Sequence, residues 1–357
     1  MASLLFPPCK FLRSLLPSGL RSLSIRCSWA SPGVVVMASL ALRPLRATVR
    51  PRVVAIGLGN MGGPLAGRVA ASFPTAVYDR DIAAVASHSQ AHGSLVVDGG
   101  HEQLRDMASH SEFVLTCLPN TDLTRATVDA LRPALRPGLI WIDATSGRAE
   151  DAAALADSLW REQRVRYLDC AVSGGPRGAA SGKLTALVGG DRDTFQSSRV
   201  VLDTFADKIN YLGPAGSGHL VKAINNALLA ANLLSASEGL AAIARHGVDV
   251  PAALEAINGS SGRSWVTMQR FPENILTGDP YGFALDMHCK DMENALRAIR
   301  EPHADGTHVS APMLELARCL MNSAREQYGA NVDHTETSQL AARSNRIDFE
   351  KIVSTFV

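Results

Sequence analysis

The chain has 357 residues, 46% of them hydrophobic and 19% charged, which describes an ordinary globular protein with room for two domains. Its formal net charge of +1 is unevenly placed: residues 1–52 hold eight Lys or Arg and no Asp or Glu, leaving 27 basic and 34 acidic residues, net −7, for 53–357. That mildly acidic body gives no reason to expect nucleic acid or anionic lipid as a partner.

Residues 1–52 are rich in Arg, Ser, Leu and Pro, the composition of an organelle transit peptide. Arg outnumbers Lys there seven to one, which favours the mitochondrion over the chloroplast. The longest apolar run, Gly33 to Met37, is far too short to span a membrane. Met37 opens a second Met-Ala-Ser-Leu, so a shorter product starting there is conceivable. The six cysteines (Cys9, Cys27, Cys117, Cys170, Cys289 and Cys319) show no CxxC pair and no Cys/His metal spacing. Buried free thiols are expected, with no metal site.

From Arg52 a short run rich in β-branched residues leads into Gly57-Leu58-Gly59-Asn60-Met61-Gly62, then a helix, then a second strand ending at Asp79. A GxGxxG between strand and helix, with an acidic residue 20 positions beyond Gly59, is the setting a dinucleotide requires. Gly57 permits the tight turn, Gly59 lets the backbone approach a pyrophosphate, and Gly62 lets helix and strand pack closely. Asp79 would accept hydrogen bonds from the adenine ribose, favouring NAD over NADP. Arg80 beside it could stack on adenine or pair with a phosphate, so NADP stays possible.

Helices and strands then alternate. Helices are expected at 82–92, 102–110, 122–131, 151–161 and 192–205. Strands are expected at 95–97, 113–118, 139–143, 166–169, 184–188 and 209–212. This is a doubly wound α/β sheet of the Rossmann type. Pro119 stops the clearest buried strand, so Leu118-Pro119-Asn120 lies at a carboxyl end, where ligands bind in such sheets. Ser173-Gly174-Gly175 follows the strand ending at Asp169; its N–H groups and hydroxyl could cradle a carboxylate, or form only a turn.

Strands cease at Leu212. From His219 to His246 there is no proline and Ala and Leu dominate, so a helix of nearly thirty residues is expected, about 40 Å long, capped by Gly247. Apolar residues on most of its faces predict that it runs through the middle of the molecule. Lys222 stands near its start with Asn226 one turn later on the same face. An ammonium there must pair, shift its pKa, face a polar cavity or snorkel to water. The remainder reads as helices at 251–257, 266–275 (interrupted or kinked at Pro272), 287–300 and 312–325, with a frayed tail. Residues 301–309 are the expected flexible loop, its His303 and His308 solvated.

Four separated segments, GLGNMG at 57–62, DCAVSGG at 169–175, GPAGSGHLVKAINN at 213–226 and FALDMHCKD at 283–291, with NGSSGRSW at 258–265, occur in the order found in β-hydroxyacid dehydrogenases. The chain resembles that family from about 53 to 340. Behind the transit peptide (1–52), the resemblance implies a Rossmann NAD(P)-binding domain (53–214) and an all-α substrate and dimerisation domain (215–357), joined by the long helix. It implies Lys222 as the catalytic lysine with Asn226 orienting the substrate, and Ser173, Gly174 and Gly175 holding a small carboxylate substrate. It implies Leu118, Pro119 and Ser146 near the nicotinamide, Lys290 reaching back to the cofactor, and a homo-oligomer, dimer or tetramer. Cys170-Ala171 replaces the usual Ala-Pro, Leu123 stands where Asn is frequent, and 266–282 is short.

The reaction so implied is oxidation of a small 3-hydroxy acid by NAD(P)+, with 3-hydroxyisobutyrate to methylmalonate semialdehyde as its first form. Reduction of glyoxylate, succinic semialdehyde or tartronate semialdehyde is the alternative. A non-catalytic cofactor-binding scaffold is the alternative outside enzymes, against which Lys222 and Asn226 are both present.

Overall fold

The computed structural model describes residues 52–302 and 305–352; the expected presequence, Met37 and His303 lie outside them. Eight strands form one sheet: β1 (Val53–Ile56), β2 (Thr75–Tyr78), β3 (Leu95–Val96), β4 (Phe113–Thr116), β5 (Ile140–Asp143), β6 (Arg166–Ser173), β7 (Leu184–Gly190) and β8 (Ala206–Gly213). Their order is β3-β2-β1-β4-β5-β6-β7-β8. All neighbours run parallel except β6 and β7. The helices α1 (Gly62–Ala70), α2 (Ile82–His92), α3 (Gly100–Ser109), α4 (Thr121–Leu131), α5 (Ala149–Gln163), α6 (Gly175–Ser181) and α7 (Arg192–Leu202) connect them. Central strands alternate between two apolar layers: Phe113, Leu115, Ile140 and Ile142 face one, Val114 and Trp141 the other. Burial on both faces is why these strands read as continuous apolar runs.

The strand order reverses between β1 and β4, the switch point that opens a crevice at the carboxyl ends. Register brings Ile56, Thr116 and Asp143 side by side across β1, β4 and β5, so the loops after 56, 116 and 143 leave one edge together. β6 overshoots that edge. It pairs with β5 only as far as Asp169, then continues to Ser173 against Thr185 of β7. Four further residues at about 3.3 Å each carry Ser173 roughly 13 Å beyond its parallel neighbour. The strand expected to stop at Asp169 is therefore longer, and the expected turn at Gly174-Gly175 opens α6.

Helix α8 (Ser217–Arg245) has 29 residues and ends ahead of Gly247, whose φ is +73°. It packs on β6 and β7 and then against the C-terminal helices. Its buried residues form a stripe, Ala223, Asn226, Ala230, Leu233, Ser237 and Leu240, while Leu220, Val221 and Leu228 stay exposed. The helix runs between sheet and helices as expected, although part of its apolar surface is left uncovered. Among the described residues it alone has the length and hydropathy of a membrane span, but the stripe packed on sheet and helices is that of a core helix.

Beyond α8 come α9 (Val250–Asn258), a π-helix (Val266–Ile275), α10 (Leu285–Arg300), α11 (Pro312–Tyr328), a 3-10 turn (His334–Ser338), α12 (Gln339–Ser344) and α13 (Phe349–Ile352). Pro272 does not interrupt the π-helix. In i→i+5 bonding its missing N–H would have served the Thr267 carbonyl, which instead accepts from Asn258 Nδ2 at 3.0 Å. As far as Ile352 the tail expected to fray is ordered, because Ala341, Ala342 and Phe349 are buried in the same cluster as Leu233 and Phe271. Within the expected flexible loop, Thr307 is bonded to Asp305 and the exposed His308 ring to the Arg300 carbonyl.

Candidate active site

The glycine turn after β1 is built against its neighbours. Gly57 has φ +94°, and a methyl group there would collide with the Cys117 carbonyl oxygen; one at Gly62 would collide with the Gly57 carbonyl. At Gly59 a methyl group would meet nothing within 4 Å, and Gly59 and Asn60 are exposed at the crevice. Leu58, buried, donates its N–H to Asp79 Oδ2 at 2.7 Å, and Asp81 N–H reaches Asp79 Oδ1 at 2.9 Å. Asp79 therefore braces the turn as well as facing the crevice, with a lone pair left on each oxygen. Arg80 is exposed and makes no ion pair with a described residue.

The next two loops are locked together. Leu118 N–H donates to Thr145 Oγ1 at 3.0 Å. Beneath them the fully buried Asp143 accepts from Thr116, Thr145 N–H and Tyr167. Lys290, from α10, donates to the Pro119 carbonyl at 3.0 Å and the Ser146 carbonyl at 2.7 Å. The helical half thus clasps both loops with one ammonium.

Next to it lies Asp291, 2% exposed, which none of the expected site residues included. Its Oδ1 accepts from Ser146 Oγ at 2.8 Å and lies 3.3 Å from Lys290 Nζ. Its Oδ2 accepts from Asn226 Nδ2 at 2.6 Å. One carboxylate so gathers Ser146, Lys290 and Asn226 from three elements. The signal was present in an acidic residue directly following Lys290 in an expected helix, but adjacency alone does not reveal a hub.

Lys222, one turn before Asn226 on α8, is half-buried and forms no hydrogen bond or ion pair with a described residue. Burial is the main cause lowering its pKa; Asp291 opposes this and Lys290 adds to it. Its position is set by a second buried carboxylate that was missed, Asp169. Asp169 Oδ1 accepts from Gly216 N–H at 2.7 Å and Oδ2 from His219 N–H at 2.8 Å. A carboxylate on the free N–H groups of a helix N-terminus is favourable through both hydrogen bonds and dipole. Gly218 permits the approach, since a methyl group there would strike the Leu187 carbonyl.

Ser173, half-buried at the tip of β6, is followed by Gly174 at φ +132° and Gly175 at φ +66°. The tip meets the helical half through Tyr281, whose hydroxyl occupies the space a Gly175 side chain would need. Behind Tyr281 stands Arg270, its guanidinium 3.4 Å from the ring centroid.

Residues 52–213 match the family described as NAD binding domain of 6-phosphogluconate dehydrogenase, and residues 216–341 the one described as NAD-binding of NADP-dependent 3-hydroxyisobutyrate dehydrogenase. The chain is 31% identical over 277 residues to the 2-(hydroxymethyl)glutarate dehydrogenase of Eubacterium barkeri, covering 76% of this chain and 88% of that one. It is 29% identical over 305 residues to the NAD-dependent L-serine dehydrogenase of Pseudomonas aeruginosa, covering 81% and 97%. Among solved structures, the Mycobacterium tuberculosis 3-hydroxyisobutyrate dehydrogenase with L-serine aligns with a TM-score of 0.73 at 26% identity, covering 82% and 99%. The chain belongs to the β-hydroxyacid dehydrogenase family.

This dehydrogenase is accordingly an NAD(P)-dependent oxidoreductase acting on a CH–OH group. The residues present fit the cofactor. Gly57 and Gly62 are glycines because their own chain leaves no room, whereas the space at Gly59 opens outward, as close approach of a pyrophosphate requires. Helix α1 begins with no side-chain cap; its Gly63 N–H is taken by the Gly59 carbonyl at 2.9 Å, which leaves the Gly62 N–H at the helix start for phosphate. The thiols are poor reactants: burial pushes Cys117 up to about 12 and Cys289 up to about 11, and raises Cys170 further. Cys319 is exposed, against the expectation that all would be buried. No cluster of metal-ligating side chains occurs among the described residues.

Proposed function

We propose that this dehydrogenase oxidises a small 3-hydroxy acid of the 3-hydroxyisobutyrate type to its semialdehyde, with NAD+ as the preferred acceptor. The observation that carries this reading is Lys222, an ammonium without a counter-ion whose pKa is lowered mainly by burial. Such an amine, freed of its proton nearer working pH, is suited to take the proton of the substrate hydroxyl. In the reverse direction the ammonium returns it, and while charged it favours negative charge on the oxygen. The nicotinamide, when bound, supplies the hydride acceptor.

Asn226 is held by Asp291 with one N–H and one lone pair to spare, which supports its role in orienting the hydroxyl. Asp291 is thereby a positioning residue for Asn226, Ser146 and Lys290. The Ser173 hydroxyl and the N–H groups of Gly174 and Gly175 would anchor the carboxylate, and the loops clasped by Lys290 would face the nicotinamide. Anchoring both ends of a small acid supplies much of the rate gain, by fixing the reacting carbon. The division at residue 214 and homo-oligomerisation belong to the same reading; the apolar side chains that α8 leaves exposed support the latter.

The test is single-turnover hydride transfer by Lys222→Ala, with NAD+ binding and melting checked on the same protein. We expect kcat to fall at least about 100-fold, the lower bound for general acid–base catalysis, with little change in NAD+ affinity. A variant that binds NAD+ normally and stays within about tenfold of wild type would show that another group moves the proton.

A further inference from the structure

Arg270 is 6% exposed, yet it makes no ion pair and no hydrogen bond with any described residue, and its Nε is sealed without a partner. A guanidinium does not lose its proton in a protein, so burial cannot be relieved by neutralising it. Its guanidinium lies over the face of Tyr281, which orients a cation but does not compensate its charge. The neighbours on the other side do not help. His334 lies 5.9 Å from Tyr281 and 5.0 Å from His288, ring to ring, and both His334 nitrogens lack partners. Burial holds both histidines below the usual range, and an imidazole offers a cation no opposite charge in either protonation state. The carboxylate of Asp291 is already committed to Ser146, Lys290 and Asn226.

The place of this unpaired cation gives it a use. Tyr281 touches Gly175 on one side and Arg270 on the other. His288 donates from Nε2 to the Asn226 carbonyl oxygen at 2.9 Å. Arg270 thus stands one aromatic ring from the Ser173–Gly175 cradle, on the side of α8 that carries Asn226. The π-helix turns it inward: its buried residues include Thr267, Arg270, Phe271 and Asn274, and such segments recur at functional sites.

We infer that Arg270 pairs with a second acidic group on the substrate, so that the preferred 3-hydroxy acid is a diacid bearing a hydroxymethyl group. This rests on the reading above for the alcohol, whose chemistry is unchanged; Arg270 selects which acid is held. A planar guanidinium meeting a carboxylate in paired hydrogen bonds gives strong discrimination. The relative from Eubacterium barkeri, named for 2-(hydroxymethyl)glutarate, supplies a probe of that shape.

The experiment compares kcat/KM of the full chain for 2-(hydroxymethyl)glutarate and 3-hydroxyisobutyrate, with calorimetric binding of each acid. Wild type is expected to favour the diacid at least about tenfold, and Arg270→Met to lower the diacid-to-monoacid ratio at least about thirtyfold, chiefly through KM. Arg270→Lys, which keeps charge but not the fork, should fall between and guards against misfolding of the first variant. A wild-type preference for the monoacid, or a ratio unmoved by both substitutions, overturns the inference while leaving the Lys222 reading intact. Absence of turnover with either acid would remove that reading and this inference together.

Discussion

A single negative charge just past β2 is expected to govern the choice of cofactor. Asp79 is held by the N–H groups of Leu58 and Asp81, so it cannot swing away from a 2′-phosphate. The dehydrogenase should therefore prefer NAD+; kcat/KM measured for both cofactors checks this, and a tenfold preference for NADP+, about 1.4 kcal/mol, would contradict it. Two other residues link the site to pH. The His288 pKa is lowered by burial, which outweighs the Asn226 carbonyl and Asp291, and the His334 pKa by burial, then His288 and Arg270. Folded values below the unfolded value of about 6.5 mean that the unfolded chain binds more protons as pH falls through that value. Stability should be complete above it and decline below, so the melting temperature should drop between pH 7.5 and 5.5. His334→Phe should flatten that slope; an unchanged slope would place the effect elsewhere. Lys222, Asn226, Ser146 and Lys290 were named from the order of the segments, and the structure brings the last three onto one carboxylate. Asp291, Asp169 and Arg270 were not, because each owes its importance to what lies opposite it, and a single sequence carries no record of pairings across the cleft.

Among the elements, α8 depends on a carboxylate that does not belong to it. Asp169, midway along β6 at the point where its pairing with β5 ends, holds the first turn of α8 and sets Lys222 one turn on. Asp169→Asn should cost about 1–3 kcal/mol, since a charge-assisted bond is lost and a buried N–H is left poorly met. Chemical denaturation reads the loss, and stability equal to wild type would refute the anchoring role. All eight strands and the long helix could be read from apolar runs and from the absence of proline. The overshoot of β6 could not, because nothing in Cys170-Ala171-Val172 distinguishes a strand continuing beside β7 from one that has ended. The π-helix likewise escaped, since Pro272 argues locally for a break and Asn258, which compensates it, comes from another helix.

For the whole molecule, one ammonium joins the two halves: Lys290 of α10 reaches both loops at the sheet's carboxyl edge, beside the Ser146–Asp291 hydrogen bond that crosses between the same elements. A fluorescent fusion of residues 1–52 should enter mitochondria; a cytosolic or chloroplast signal would refute the address.

The three glycines of the turn after β1 are under unequal constraint. Folding itself guards Gly57 and Gly62, because any side chain there strikes backbone, while at Gly59 the chain leaves empty space. A methyl group at Gly59 is therefore invisible to the apoprotein and obstructive only to what it binds. Folding and catalysis come apart at this one carbon: Gly59→Ala should melt like wild type while losing affinity for NAD+. A descendant that gave up chemistry to serve as a scaffold would be free to change here first, with its architecture untouched.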